Sequence, residues 1–346
     1  MGLGEIWFVL LGVLFAGYAI FDGFDLGVGI LYPFLGKSEG DKATMRFSVG
    51  PIWDGNEVWL LTAGGALFAA FPAVYATVFS GMYIALMLLL FALLFRAGAL
   101  EFRNRDPQWA GFWDWAFFLG SAIPALLFGV AVGNIIRGLP LTDAGEFIAG
   151  GGQPVFLGNL LAALNPYAIV IGVLSVAWIM VHGSAWLALK TTGEVHERAA
   201  KARGALLVVF VAVLVAATVA TIFLAPDAWA RATDSPLGWL FGVLIFVGAG
   251  LVLLGTRKGD VMSFLGSTLA GASMVATWAA AIFPALVPSI GPGQALTIAN
   301  AAASPVALTA MLVIACIGVP LVVFYFFLIY RTYAGRISAT DLGEHY

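Results

Sequence analysis

The feature that most constrains this chain is a recurrence of apolar stretches, each close to twenty residues long, separated by Pro, Gly and short charged segments. A helix rises about 1.5 Å per residue, so ~20 such residues cross a hydrocarbon core about 30 Å thick. Lipid offers the backbone no hydrogen-bond partner, which leaves helices and closed barrels as the only spanning structures. Barrel strands would alternate polar and apolar residues in short segments, and these stretches do not. The chain therefore reads as an all-α integral membrane protein, one polytopic domain over residues 1–346 built of helical bundles. Composition agrees, with 10% charged residues against roughly 25% in soluble domains.

Reading the apolar runs against their punctuation predicts nine transmembrane helices, over about 5–32, 50–71, 75–98, 113–137, 157–189, 204–225, 237–255, 263–287 and 305–331. The first lacks the basic leader and small-residue cleavage site of a signal peptide, so it reads as a retained span. Fourteen of the 16 Lys and Arg residues fall in segments 37–46, 96–105, 190–203 and 257–258 and in the tail after Ile329, all on one side of nine spans. Only Arg137 and Arg231 fall on the other side. The positive-inside rule then puts the N-terminus outside and the C-terminus in the cytoplasm.

No connecting segment is long enough for a soluble catalytic or nucleotide-binding domain. The glycine-rich runs AGGGQP (149–154) and SIGPGQ (289–294) read as turns, with no GK[ST] to make a phosphate cradle. A net charge of -3 without a basic block argues against nucleic acid as a partner. The single cysteine, Cys316, excludes a disulfide framework or a cysteine-based metal site and reads as a small buried hydrophobe.

Against this background the ionisable residues inside spans stand out, since each costs roughly 2.5–3.5 kcal/mol at a helix centre. FDGFDLGVG places Asp22 and Asp25 on one side of the first span, flanked by Gly23, Gly27 and Gly29, small residues that let another helix come close. GPIWDGNEVW adds Asp54 and Glu57 beside Trp53 at the start of the second span. The third ends in FRAGALEFR with Arg96 and Glu101, and the fourth begins with Asp114. Four consecutive helices are thus expected to bring acids and one counter-charge, Arg96, to a single polar layer near the cytoplasmic face. Carboxylates that share such a site cannot all ionise, which suits a group that carries protons. Helix capping or bundle locking would place the same residues there, and Asp54 after Pro51 is a natural capping position.

Of three histidines only His182 lies within a span; His196 and His345 lie in a charged loop and the tail. One intramembrane histidine cannot make a bis-histidine haem site, so His182 reads as a hydrogen-bonded polar contact. The polar residues of the first four spans have no counterpart in the last five, although a proton-coupled secondary transporter and a purely structural scaffold also fit buried acids.

DGFDLGVG, GPIWDGNEVWLLTAGGALFAAFP, FRAGALEFR, FWDWAFFLGS with GVAVGN, and ALNPY followed by GEVHERA together resemble subunit II of the cytochrome bd quinol oxidases, in matching order over nearly the whole chain. The resemblance implies a haem-free subunit paired with a larger subunit I, which carries two haems b, one haem d and the quinol-oxidising loop. It implies a complex in a bacterial or archaeal cytoplasmic membrane that oxidises quinol, reduces oxygen to water and draws its protons from the cytoplasm. It also implies that Asp25, Asp54 and Arg96 match motifs contributing to a polar route at the subunit interface. Trp53 belongs to the same motif, while Asp22, Glu57 and Glu101 match without an assigned role. The choice between ubiquinol and menaquinol, small accessory subunits, bound lipid and a quinone held by this subunit are left open by the resemblance.

Overall fold

The computed structural model describes residues 2–147 and 155–338. The glycine-rich run at 149–154, expected to be a turn, and His345 lie outside the described residues. Among the described residues the chain is helical with one minimal hairpin. Its elements are α1 (Leu3–Leu35), α2 (Glu39–Val49), α3 (Trp53–Ala70), α4 (Pro72–Gly81), α5 (Tyr83–Phe102), α6 (Ala110–Arg137), α7 (Val155–Ala163), α8 (Pro166–Lys190), α9 (Gly193–Leu224), α10 (Pro226–Asp234), α11 (Pro236–Lys258) and α12 (Asp260–Ile282). These are followed by β1 (Ala285–Val287), β2 (Leu296–Thr297), α13 (Ile298–Ala301) and α14 (Pro305–Thr332). Among the described residues eight helices are long and apolar enough to cross a membrane, and a ninth span exists when α3 and α4, bent by 120° at Phe71, count as one.

The third predicted span, 75–98, is where the chain departs most from its apolar pattern. Pro72 has no N–H and opens a new helix after Phe71, and α4 then ends at Gly81, so the crossing helix is α5. The reason is tertiary. A Cβ on Gly81 would stand 2.4 Å from the Phe147 ring, and Thr77 Oγ1 donates to the Gly145 carbonyl at 2.7 Å, so α4 is pinned under a remote loop. Around it Phe71, Val74, Leu139, Leu141, Phe147, Leu286 and Val287 form one apolar cluster. Segment 289–294 is the connection between β1 and β2, as its glycines suggest.

Span 157–189 likewise divides. Asn165 Oδ1 accepts from the Ala168 amide at 3.0 Å and Pro166 opens α8, while Asn165 Nδ2 donates to Asn134 Oδ1 of α6 at 2.9 Å, tying the break to that helix. At α9 the opposite happens: the charged run GEVHERAAKARG is helical and joins the predicted span, held by Arg198–Asp41 at 2.7 Å and Arg203–Asp260 at 3.0 Å.

The inner half of α1 is the axis of the bundle, buried almost without interruption from Asp22 to Tyr32. It meets α8 where Gly27 faces Gly183; a Cβ on Gly27 would lie 2.3 Å from the Ile179 carbonyl oxygen. That close approach is the role expected of the glycines around the two aspartates. By contrast α14 packs loosely, and Cys316 is exposed on it, not buried as its apolar surroundings suggested. In a membrane chain an apolar run marks contact with lipid as readily as with protein, so hydropathy does not report burial.

The ion pairs Lys42–Asp114, Arg103–Glu39, Arg198–Asp41, Arg203–Asp260 and Arg336–Asp260 gather the basic segments at one end of the bundle, hereafter the basic end.

Candidate functional site

Four helices converge on a polar group inside the apolar bundle. α1 supplies Asp22 and Asp25, both fully buried, because the glycines around them leave room for neighbours on every side. α5 supplies Arg96, which has no exposed surface. It sits where α6 comes closest: a Cβ on Gly120 would stand 2.8 Å from the Arg96 amide nitrogen, so only glycine allows α6 to close over it. α3 supplies Asn56 and Glu57, and α14 supplies Tyr330.

Arg96 Nη2 donates to Asp22 Oδ1 at 2.7 Å and to Glu57 Oε1 at 2.6 Å. Asn56 Nδ2 donates to Asp25 Oδ2 at 2.8 Å, and the Tyr330 hydroxyl donates to Asn56 Oδ1 at 2.9 Å. One guanidinium therefore faces three carboxylates. Buried charge is tolerated where it is paired, and Arg96 pairs two of these groups while Asp25 receives only a neutral amide. Asp22 Oδ2 and Asp25 Oδ1 have no hydrogen-bond partner among the described residues. Glu57 is the member of the group that reaches the surface, with a quarter of its side chain exposed on the flank of the chain.

The single layer expected from the sequence is in fact two. Asp114 lies at a second group near the basic end, where its carboxylate accepts from Tyr32 at 2.9 Å, Lys42 at 2.7 Å and Arg103 at 2.8 Å. Arg46 donates to Tyr32 and, at 2.7 Å, to Asn104. Tyr32 is ten residues beyond Asp22 on α1, or about 15 Å along the helix axis. The fourth helix of the inner group is accordingly α14, not α6.

Glu101 is exposed near the end of α5: five residues past Arg96 it is turned by about 140° and points away from the cluster. Asp54 is exposed in the first turn of α3, its Oδ1 accepting from the Gly55 amide at 2.8 Å. An acid there meets the positive end of the helix dipole. The cap position itself is Ile52, so Asp54 is not the capping residue. Trp53, half-buried, begins the same helix. Asn56 and Tyr330 are two cluster members that carry no signal of charge in the sequence. Neither carries a charge at neutral pH, and the only signal for Asn56 was its place inside the WDGNEVW motif.

His182 is fully buried and both its ring nitrogens are engaged, Nδ1 with Ser267 Oγ at 2.7 Å and Nε2 with the Ile20 carbonyl at 2.9 Å. Its ring lies between Trp178 and Phe264, stacked on both with centroids 5.2 and 5.0 Å away. No nitrogen is left to face an iron, so His182 as placed does not fit haem ligation. Among the described residues no three His, Cys, Asp or Glu side chains are grouped to hold a metal.

A family profile described as cytochrome bd terminal oxidase subunit II matches residues 3–333. The chain is 36% identical to a probable cytochrome oxidase subunit 2 of Haemophilus influenzae and 35% identical to the cytochrome bd-I ubiquinol oxidase subunit 2 of Escherichia coli, each over 98% of this chain and 96% of the relative. It is also 35% identical to the cytochrome bd ubiquinol oxidase subunit 2 of Bacillus subtilis, over 97% of both. In fold it is similar to a chain of the bd oxidase structure from Geobacillus thermodenitrificans, with a TM-score of 0.79 over 96% of this chain and 99% of that one at 15% identity.

Proposed function

The chain belongs to the cytochrome bd terminal oxidase subunit II family, and on that premise we propose that it is the haem-free subunit of a membrane quinol oxidase and supplies part of the cytoplasmic proton path for oxygen reduction. In this reading two haems b and one haem d reside in the partner subunit I, where they supply the redox chemistry. This chain's own residues hold and pass protons.

The observation that carries the proposal is the excess of acid over base in the buried group: Asp22, Asp25 and Glu57 around Arg96 alone. Three ionised carboxylates beside one guanidinium would leave two uncompensated charges in a low-dielectric interior, so the group exchanges protons among its members in place of ionising fully. Arg96 holds Asp22 and Glu57 on one nitrogen, which keeps two proton-binding sites within a few ångströms of each other. Glu57 reaches the flank of α3, where the exposed Asp54 stands one turn away; these two face the partner subunit and hand protons toward it. The basic end faces the cytoplasm, in keeping with the distribution of Lys and Arg.

The test is Asp25→Asn and, separately, Asp54→Asn in the assembled complex, with oxygen-linked proton uptake measured against haem content. Slower uptake at normal haem content is expected for both. Uptake at the native rate in Asp25→Asn would refute the conducting role, and loss of assembly in place of slower uptake would assign the acids to packing.

A further inference from the structure

We propose that a cavity at the basic end is the inlet through which protons reach Asp25, and that Tyr330, held by Asn56, is the gate at its inner end. The proposal rests on the proton-path reading above and adds the place where protons enter.

The cavity has a volume of about 600 Å³ and lies between the ends of α2, α8, α12 and α14, with Ser48, Trp186, Lys190, Tyr330, Thr332 and Arg336 in its wall. One water molecule occupies ~30 Å³ of liquid, so a file of several waters fits. Its roof is the segment after α14, which is tied down at three points. The Ile337 amide donates to the Lys190 carbonyl at 2.8 Å, the Thr192 amide donates to the Ile337 carbonyl at 3.0 Å, and Arg336 pairs with Asp260 at 3.0 Å. Lys190 Nζ in turn donates to the Tyr333 carbonyl. The opening is therefore a built feature of the basic end.

Tyr330 joins this cavity to the buried cluster. Its ring stacks on Phe326 at 6.1 Å and meets the edge of Trp186 at 6.3 Å, which fills the inner end of the space. Its hydroxyl points the other way, into Asn56. The direction of that bond fixes the rest. Because the phenol donates, the Asn56 carbonyl turns toward it and the amide NH₂ turns toward Asp25, occupying Oδ2. Oδ1 is then the Asp25 oxygen with no partner among the described residues.

An amide does not readily release and rebind a proton, so Asn56 is not itself a relay. It and Tyr330 are positioning residues that hold Asp25 with one oxygen ready. When the Tyr330 ring swings aside, a hydronium ion in the cavity meets Oδ1. One O–H bond of the hydronium breaks, one forms on Asp25, and a water molecule remains. Asp25 then passes the proton on to the Asp22 and Glu57 pair across Arg96.

The experiment uses the assembled oxidase carrying Cys316→Ser and Thr332→Cys, so that one thiol lines the inlet. A bulky methanethiosulfonate reagent is attached there and later removed with a phosphine reductant. Quinol-driven proton uptake is followed in the same preparation before tagging, after tagging and after removal. Tagging is expected to slow uptake about tenfold, the rate equivalent of ~1.4 kcal/mol, with recovery on removal and haem content unchanged throughout. Tyr330→Phe, which keeps the ring and deletes the donor, is expected to slow uptake as well. If tagging leaves uptake at its starting rate while Asp25→Asn slows it, the path stands and the inlet is overturned, protons arriving instead from the flank of Glu57. If Asp25→Asn has no effect, the underlying reading falls and the inlet with it.

Discussion

Arg96→Gln tests the core of the site most directly. In the native chain the two carboxylate oxygens stand 2.7 and 2.6 Å from Arg96 Nη2, and Arg96 and Asp22 are both without exposed surface. With charge centres about 4 Å apart and an effective dielectric near 20, each pair is worth about 4 kcal/mol before desolvation is counted. Removing the guanidinium strands both acids, but the penalty for each has a ceiling. Holding a proton at pH 7 on a carboxylate with a reference value near 4 costs about 4 kcal/mol, so neutralisation caps the loss. Asp22 has no exposed surface and carries most of the loss, whereas Glu57, a quarter exposed, is partly resolvated and contributes little. The expected loss is about 3–5 kcal/mol, the range found when one partner of a buried pair is deleted. Thermal denaturation of the detergent-solubilised complex, followed by the haem spectrum and by subunit ratio, would show it. Adding Asp22→Asn to Arg96→Gln removes the stranded charge and is expected to recover at least half of the loss. A double variant no better than the single one, or an Arg96→Gln complex as stable as the native one, would refute the assignment of Arg96 as counter-charge.

Two further outcomes follow from the packing and the loops. Gly183→Ala would place a Cβ 2.4 Å from the Gly27 carbonyl carbon, with backbone on both sides and no flexible side chain to yield, so α1 and α8 must separate. The cost is expected at about 1–3 kcal/mol with reduced assembly, and native yield would contradict the contact. At the basic end, the hydrogen bond from Arg103 holds the Glu39 carboxyl below its usual value. Asp41 is also lowered: burial acts to raise it and is outweighed by the amide and hydroxyl of Ser38 and by Arg198. Both are depressed acids, so their support for α2 is complete above the ordinary carboxylate range and is lost as pH falls through the lower folded values. The protection factors of the α2 amides, taken against the intrinsic exchange rate at each pH, are expected to fall on acidification from about pH 6 to about pH 3 more than those at the opposite end of the bundle. Arg103→Gln should mimic part of this at neutral pH, and protection indifferent to pH would rule out the ion pairs as the tie.

What could be read from the sequence follows from the solvent. A membrane interior demands long apolar helices, so the bundle and the central crossings, such as α6, α11 and α14, were legible from hydropathy alone. Charge cost did the same for Asp22, Asp25 and Arg96, since a residue that is expensive in lipid must be paired or functional wherever it sits. Hydropathy was silent on the rest. It could not distinguish an apolar helix facing lipid from one facing protein, which is why Cys316 was misplaced. Nor could it see that Phe147, far along the chain, would end α4 at Gly81. Depth within the membrane was equally invisible. Asp22 falls in the cytoplasmic third of its predicted span and Asp114 at the start of another, yet the packing of α1 sets them about three helical turns apart. The partners of the acids came from the tertiary structure, because Asn56 and Tyr330 are neutral and cost too little to stand out. Asn56 reaches Asp25 because α3 lies against α1, and Tyr330 reaches Asn56 because α14 returns to lie against α3. The chain's own residues thus determined that charge would be buried, and the crossing of distant helices decided which carboxylate oxygens have no partner among the described residues.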